Sequence, residues 1–204
     1  MDLIDIRRKM LIGQGRRIRV VWNQAQHPFS TQYYKPYNSS NTSLEDVSNG
    51  IVKQTWTGGT GGGYGYATRH KEDKPTVRTD HIYYISYMIN PSVARGFGIE
   101  FAGGFAILLK DCSANTWSRL SVVHEGVRNG LGLGYFGNKR SGAGMTIGDY
   151  VLLKSPIYID LTQMFGSGNE PDLETFEKQC AQNGIDLTQS YPQDLNGTIR
   201  KWIV

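Results

Sequence analysis

Cysteine is scarce in this chain, since only Cys112 and Cys180 occur among its 204 residues. Two cysteines so far apart in sequence make no disulfide framework of the kind that holds small secreted domains together. A single Cys112–Cys180 bridge stays open at this point. So does a buried free thiol at Cys180, which would behave as a small hydrophobic group. The sequence therefore excludes a disulfide-rich fold.

Long apolar runs are also absent. No N-terminal stretch has the length and apolarity of a signal peptide, and no stretch approaches the ~20 apolar residues of a membrane span. We therefore expect a protein made in a cytoplasm, without membrane insertion, that reaches the outside as part of an assembly. The net charge is only +4, and Lys and Arg do not cluster as a phosphate-binding surface requires, so we expect no nucleic-acid binding.

Catalytic and metal-binding motifs are missing too. The histidines share no spacing with Cys, Asp or Glu that would form a metal site, at His27, His70, His81 and His124. The run GGTGGGYG at residues 58–65 is no phosphate loop, because Lys followed by Ser or Thr is lacking. Paired carboxylates need only spatial proximity, so the sequence leaves a glycosidase pair open. We expect no enzyme, no catalytic residue, no metal and no cofactor.

Glycine and tyrosine are abundant, with 25 and 12 residues, which favours an all-β protein with many turns. Short segments of alternating polarity recur about every 8–12 residues, as in a sandwich and unlike a parallel α/β sheet. The strongest is HIYYISYMIN at residues 81–90. The polar residues 24–49 are interpreted as a long loop or as strand pieces on the surface. Further strands are predicted at residues 17–23, 51–57, 99–101, 105–110, 115–123 and 147–161.

A unit of strand, turn and helix spans residues 156–180, PIYIDLTQMFGSGNEPDLETFEKQC. Gly166 and Gly168 allow positive φ and hence a sharp turn. Asn169 is the predicted N-cap of the helix, with Pro171 in its first turn. Its apolar face holds Leu173, Phe176 and Cys180. We expect this unit to close one end of a sheet.

The run DLTQMFGSGNEP at residues 160–171, followed by Glu174 and Phe176-Glu177, resembles a segment of phage and prophage virion proteins. In tail, baseplate and fibre proteins it closes a jelly-roll β-sandwich similar to carbohydrate-binding modules. Weaker matches extend the resemblance over about residues 51–180. The resemblance implies no binding residue. It implies a structural closure at Asp160, Phe165, Gly166, Gly168, Asn169, Pro171 and Phe176.

The N-terminal residues 2–11 form a candidate helix whose apolar face carries Leu3, Ile6 and Met10. So short a helix is marginal alone in water, so it docks either on its own domain or on a neighbouring subunit. We divide the chain into an N-terminal arm at 1–16, a β-sandwich at 17–184 and a C-terminal tail at 185–204. The last residues of the tail make either a short edge strand or a segment that docks on a partner.

Carbohydrate binding is the function that the aromatic residues suggest. Sugar rings stack on aromatic faces while polar side chains bind their hydroxyl groups. Core filling is favoured for the tryptophans Trp56 and Trp117, the second of which shares a predicted strand face with Arg119. Tyr64 and Tyr66 lie beside glycines and are the better candidates. The candidate ligand-binding residues around the glycine loop are Trp56, Tyr64, Tyr66, Arg69 and His70.

The sequence thus predicts an all-β jelly-roll sandwich with a closing helix and a helical arm, in a non-enzymatic phage virion protein. One interpretation is recognition of host-surface carbohydrate. A second is a structural or decoration module whose arms make the assembly contacts. A third, a carbohydrate-binding module of a glycan-degrading system, suits the fold but not the missing export signal. The resemblance implies other virion proteins as partners, a host-surface glycan, and a homo-oligomer with a trimer favoured.

Overall fold

The computed structural model describes twelve stretches of the chain. They are residues 18–21, 29–36, 41–48, 50–58, 67–70, 77–101, 105–106, 110–126, 135–137, 146–182, 185–188 and 200–203. The predicted N-terminal helix, with Leu3, Ile6 and Met10, lies outside them. Strands are numbered β1 to β14 along the chain.

The first sheet has five antiparallel strands and contains most of the predicted segments. Its order is β11 (Ser118–Glu125), β6 (Ile82–Pro91), β13 (Tyr150–Asp160), β4 (Ile51–Trp56) and β3 (Thr42–Ser48). The strongest predicted strand is thus β6, beside the centre of the sheet. The final predicted segment is one strand, β13, which pairs with both β4 and β6.

The second sheet is also antiparallel and has shorter strands. Its order is β2 (Tyr34–Pro36), β5 (Ala67–His70), β12 (Tyr135–Gly137), β8 (Ile99–Phe101) and β9 (Phe105–Ala106). The polar stretch 24–49 therefore contributes strand pieces, β2 and β3. Two strand pairs complete the described structure: β7 (Arg95–Phe97) with β10 (Lys110–Cys112), and β1 (Ile18–Val21) with β14 (Arg200–Ile203). The end of the tail is thus a strand.

The two sheets share one buried core, which makes the arrangement a β-sandwich. Val52 and Leu153 of the first sheet belong to the same cluster as Tyr34 and Ile99 of the second. The Tyr87 hydroxyl of β6 donates to the Gly98 carbonyl at 3.2 Å, which joins the sheets across this core. Full burial of an apolar side chain such as Val52 or Leu153 contributes about 1.5–3 kcal/mol to stability. A jelly roll fits this architecture.

Two helices follow β13, α1 (Leu161–Phe165) and α2 (Leu173–Gln182). They pack on the outer face of the first sheet, where a second hydrophobic cluster forms under them. This explains why β6 is buried on both faces. Its side chains alternate between the core shared by the sheets and the cluster under the helices. The buried members of the second cluster are Tyr84, Ile157, Ile159, Leu161, Met164, Phe165, Phe176, Cys180 and Leu187.

The turn between the helices has the predicted glycine conformations but a different cap. Gly166 and Gly168 have φ of +90° and +79°. The predicted N-cap, Asn169, is wrong: its backbone N–H donates to the Gly166 carbonyl within the turn. Asp172 caps α2 instead, because its Oδ1 accepts from the Thr175 N–H at 2.8 Å. Pro171, predicted in the first turn, lies before the helix, which starts at Leu173 and thus three residues later than predicted.

Both cysteines are buried free thiols. Burial raises the pKa of the Cys180 thiol to about 12, so this thiol stays neutral at pH 7. The open question of a disulfide is thereby answered, and Cys180 acts as a small hydrophobic group under α2. None of the described helices combines the length and apolarity that a membrane crossing requires.

Candidate functional site

A β-bulge in β13 divides the outer face of the first sheet. Lys154 pairs with Met88, but the next pair is Ile157 with Ser86, so β13 carries one extra residue there. Ser155 lies in the bulge with a φ of +56°. Before the bulge the even-numbered side chains face outward, and after it the odd-numbered ones do.

The bulge therefore separates a surface that the helices cover from one that they do not cover. After it, Ile157 and Ile159 are buried in the cluster under the helices. Before it, Val151 and Leu153 enter the core between the sheets, so the residues that alternate with them face outward. We call the surface before the bulge the platform. Its half-buried side chains include Lys53, Asn90, Trp117, Tyr150, Leu152 and Lys154.

Each aromatic ring of the platform carries a lysine over its face. The Lys154 ammonium lies 4.6 Å from the ring centroid of Trp117. The Lys53 ammonium lies 5.0 Å from the centroid of Tyr150 and also forms an ion pair with Glu45 at 3.1 Å. Such cation–π contacts contribute about 0.5–1 kcal/mol at exposed sites. They place a positive charge over one face of each ring.

The strand register sets the distance between the two rings. Trp117 directly precedes Ser118, which pairs with Ile89, and this places Trp117 beside Asn90. Asn90 pairs with Leu152, two residues from Tyr150. Two strand spacings across and two residues along give a backbone separation of roughly 12 Å. Leu152 and Asn90 lie between the rings, so an apolar group and an amide fill the gap.

The side chains of the platform match the chemistry of sugar recognition. Aromatic faces stack on the C–H faces of sugar rings. The Asn90 amide can both donate and accept hydrogen bonds, and the lysines donate. A ligand site combines such apolar surfaces with a few placed polar groups. The platform can therefore hold an extended chain of sugars across three strands.

A second polar cluster lies at the far end of β6 and β13. His81 Nδ1 lies 2.6 Å from Asp160 Oδ2, and their side chains are 15% and 8% exposed. The other oxygen, Oδ1, accepts from the Gln163 N–H at 2.8 Å and caps α1. Asp160 thus joins the end of a strand, the start of a helix and a residue outside both, which is a structural role.

Thr162 extends this cluster into the turn. Its hydroxyl accepts from the Ile82 N–H at 2.8 Å and donates to Glu170 Oε1 at 2.5 Å. This hydrogen bond from Thr162 holds the pKa of Glu170 below its usual range. The polar residues of the segment 160–171 therefore fix strand, helix and turn to one another.

In the described stretches, no group of three or more His, Cys, Asp or Glu side chains lies close enough together to bind a metal ion.

Of the predicted ligand-binding residues, Trp56 lies in the first sheet, and Arg69 and His70 lie in the second. Trp56 is only 4% exposed and fills the core, as favoured from the sequence. Arg69 and His70 belong to β5, where they pair with Lys35 and Tyr34; their side chains are not among the described ones. Tyr64 and Tyr66 lie outside the described residues, so their role stays a prediction.

Trp117 differs from its prediction as a core residue. It is half-buried, absent from both clusters and covered on one face by Lys154. The alternation of Tyr150, Leu152 and Lys154 is visible in the sequence and could have shown one shared face. Sequence alone could not show which residues of β4, β6 and β11 lie beside it, because strand register depends on pairing across the sheet. The platform was therefore not predicted from the sequence.

Comparison with known proteins finds similarity only among solved structures, since no family model and no curated protein sequence matches this chain. An arabinose-bound MgGH51 α-L-arabinofuranosidase aligns with a TM-score of 0.49 at 12% identity, over 83% of this chain and 30% of that one. The CBM22-1 xylan-binding domain from Paenibacillus barcinonensis Xyn10C aligns at 0.43 and 11%, over 71% and 94%. A family 29 carbohydrate-binding module complexed with mannohexaose aligns at 0.44 and 11%, over 71% and 92%. At such identities the site has to be argued from the residues of this chain.

Proposed function

We propose that this chain is a non-enzymatic virion protein of a phage, and that its sandwich recognises carbohydrate on the host surface through the platform. The observation that carries the proposal is the pair of rings, Trp117 and Tyr150, on one face of the sheet with Asn90 and Leu152 between them. The virion context rests on the resemblance of residues 160–171. The proposal includes the unit of α1 and α2 as the closure that this resemblance implies.

The glycine loop starts close to the platform. Thr55 of β4 pairs with Tyr150 of the platform. The glycine loop begins at Gly58, two residues after β4 ends at Trp56. A Cβ added at Gly58 would lie 3.1 Å from the Ile147 side chain, so the chain passes close to the turn before β13. Tyr64 and Tyr66 therefore stay in the proposal as candidates for a second ligand contact.

The test removes the rings from the platform. We expect the double variant W117A/Y150A to lose at least about tenfold in affinity for host glycans or host cells, since each ring contributes its stacking area. Binding is measured on a glycan array and by sedimentation with host cells. The variant W117F/Y150F keeps both rings and should retain most of the binding.

A folded W117A/Y150A protein that binds as tightly as wild type would contradict the platform as the site. Thermal unfolding of both variants establishes that they fold. The pair Y64A/Y66A, measured in parallel, tests the contact predicted from the glycine loop.

The second candidate function is assembly through the arms. It is favoured by the pairing of β1 with β14, which brings the two terminal segments of the chain together. In that case the sandwich is a structural or decoration module, and the arm residues Leu3, Ile6 and Met10 contact neighbouring subunits in a homo-oligomer, with a trimer favoured. The mass in solution with and without residues 1–15 discriminates: an oligomer that falls to monomer on truncation supports assembly, and a monomer in both forms supports free-standing recognition. A monomer would suit a carbohydrate-binding module of a glycan-degrading system equally well.

A further inference from the structure

We infer that the platform selects anionic glycans, whose sugars carry carboxylate or phosphate groups. This inference rests on the proposed function, since it assigns the ligand class of the same surface. Its starting point is that lysines already occupy the ring faces where a neutral sugar would stack, at 4.6 Å from Trp117 and 5.0 Å from Tyr150.

Occupied ring faces disfavour a neutral ligand. Stacking of a neutral sugar on the covered face of either ring requires the ammonium group to move away and to give up its cation–π contact. A ligand with an acidic group gains instead, because a hydrogen bond between two charged groups is stronger than a neutral one. The lysine can then stay on the ring while it binds the acidic group. The arrangement thus discriminates by charge.

The charges around the platform leave an excess of positive charge. In the described part of the chain, Lys154 forms no ion pair, and neither does the exposed Lys110, whose ammonium donates to the Arg119 carbonyl at 3.3 Å. The Glu177 carboxylate is held by the Arg119 guanidinium at 2.8 Å, so its charge is compensated. Among the described residues, therefore, no carboxylate neutralises the ammonium group of Lys154 or of Lys110.

The second lysine is available to the same ligand. Its partner Glu45 is 61% exposed, and a pair this exposed is weak and easily exchanged for another anion. Lys53 pairs with Leu152, two residues from Lys154, so the two lysine backbones lie roughly 8 Å apart. Acidic groups on neighbouring units of a polymer can contact both ammonium groups.

The experiment compares acidic polymers with a neutral one. Affinities of the full chain are measured by calorimetry for polygalacturonate and for its methyl ester, which has the same backbone without charge. Poly(glycerol phosphate) is measured as the phosphate source. We expect an acidic polymer to bind at least about tenfold tighter than the neutral ester, with affinity that falls as salt is added. Whichever acidic polymer binds tighter identifies the source of the charge.

The matched variants locate the effect. K154Q should lose about tenfold in affinity for the acidic polymer and nothing for the neutral ester. K178Q removes the same charge from the exposed side of α2 and should bind as wild type does. Thermal unfolding establishes that both are folded.

Two results would overturn the inference. If the neutral ester binds as tightly as the acidic polymers, or if K154Q and K178Q behave alike, the charge selection is wrong while carbohydrate recognition by the platform stands. If no polymer binds and W117A/Y150A changes nothing on the glycan array, the proposed function fails together with the inference.

Discussion

The two halves of the outer face of the first sheet use the same strands for different purposes. Beyond the bulge, Tyr84, Ile157 and Ile159 lie almost fully buried beneath α1 and α2. Before it, the corresponding positions hold aromatic and cationic side chains that are half-buried and contact one another. One half therefore stabilises the fold, and the other presents chemistry on a rigid support. The difference shows that the side chains of a sheet face differ according to whether a neighbouring element covers it.

The largest expected loss of stability comes from a cavity in the half of the sheet that the helices cover. Phe176 is fully buried, with its ring 4.7 Å from that of Tyr84 and 6.4 Å from that of Phe165. F176A should lower the free energy of unfolding by about 3–5 kcal/mol, through lost burial and a cavity. Urea denaturation followed by fluorescence measures this. L152A on the platform is the control, and its half-buried side chain should cost only about 1 kcal/mol; equal losses would erase the distinction between the halves.

A smaller loss of stability is expected at the end of the covered half. D160N keeps a capping side chain for α1 but removes the negative charge beside His81. The free energy of unfolding should fall by about 1–2 kcal/mol, because a charge-assisted hydrogen bond becomes a neutral one. Glycan binding at the platform should not change.

The control for D160N is D80N. Asp80 pairs with Arg78 at an exposed site, so we expect no measurable loss there. If D160N unfolds at the same urea concentration as wild type, the contact with His81 does not stabilise the fold.

The smallest effect concerns the turn and appears only in acid. The pKa of Glu170 is lower in the folded protein than in the unfolded chain, chiefly through the hydrogen bond from Thr162. Its stabilisation is therefore present above the unfolded-state pKa and is lost as the pH falls through the folded-state pKa. E170Q should flatten the acid limb of the curve of unfolding free energy against pH, measured from pH 2 to 6. E125Q, which removes an exposed carboxylate from the end of β11, is the matched control, and an unchanged acid limb in E170Q would contradict the role of this bond.

Much of the fold was accessible from local pattern. The alternation in β6, β11 and β13 predicted strands, and the glycines predicted the turn with positive φ. Local pattern also predicted the apolar face of α2, with Phe176 and Cys180 buried. These features depend on residues close together in sequence, so a sequence shows them directly.

The pairing of strands across the sheet could not be predicted from the sequence in the same way. The platform needs residues from β4, β6, β11 and β13 in one register, and a shift of one residue would turn each set to the other face. The cap at Asp172 was missed for a local reason, since Asn169 and Asp172 are both good capping residues and only the path of the turn selects between them. The contact between Lys154 and Trp117 likewise follows from strand pairing. Trp117, predicted as a core residue, is half-buried on the outer face of the sheet.

On the ligand side of β13, the number of residues before the bulge at Ser155 matters more than their identity. Substitutions at Tyr150, Leu152 or Lys154 alter no residue of either buried cluster, so the surface can be retuned one residue at a time. Loss of Ser155 would remove the extra residue and leave a regular strand, in which Ile157 and Ile159 still lie under the helices and Tyr158 still enters the core. Loss of Leu152 would instead turn the residues on one side of the gap to the other face of the sheet. A library of altered specificities should therefore vary the residues before the bulge and keep their number.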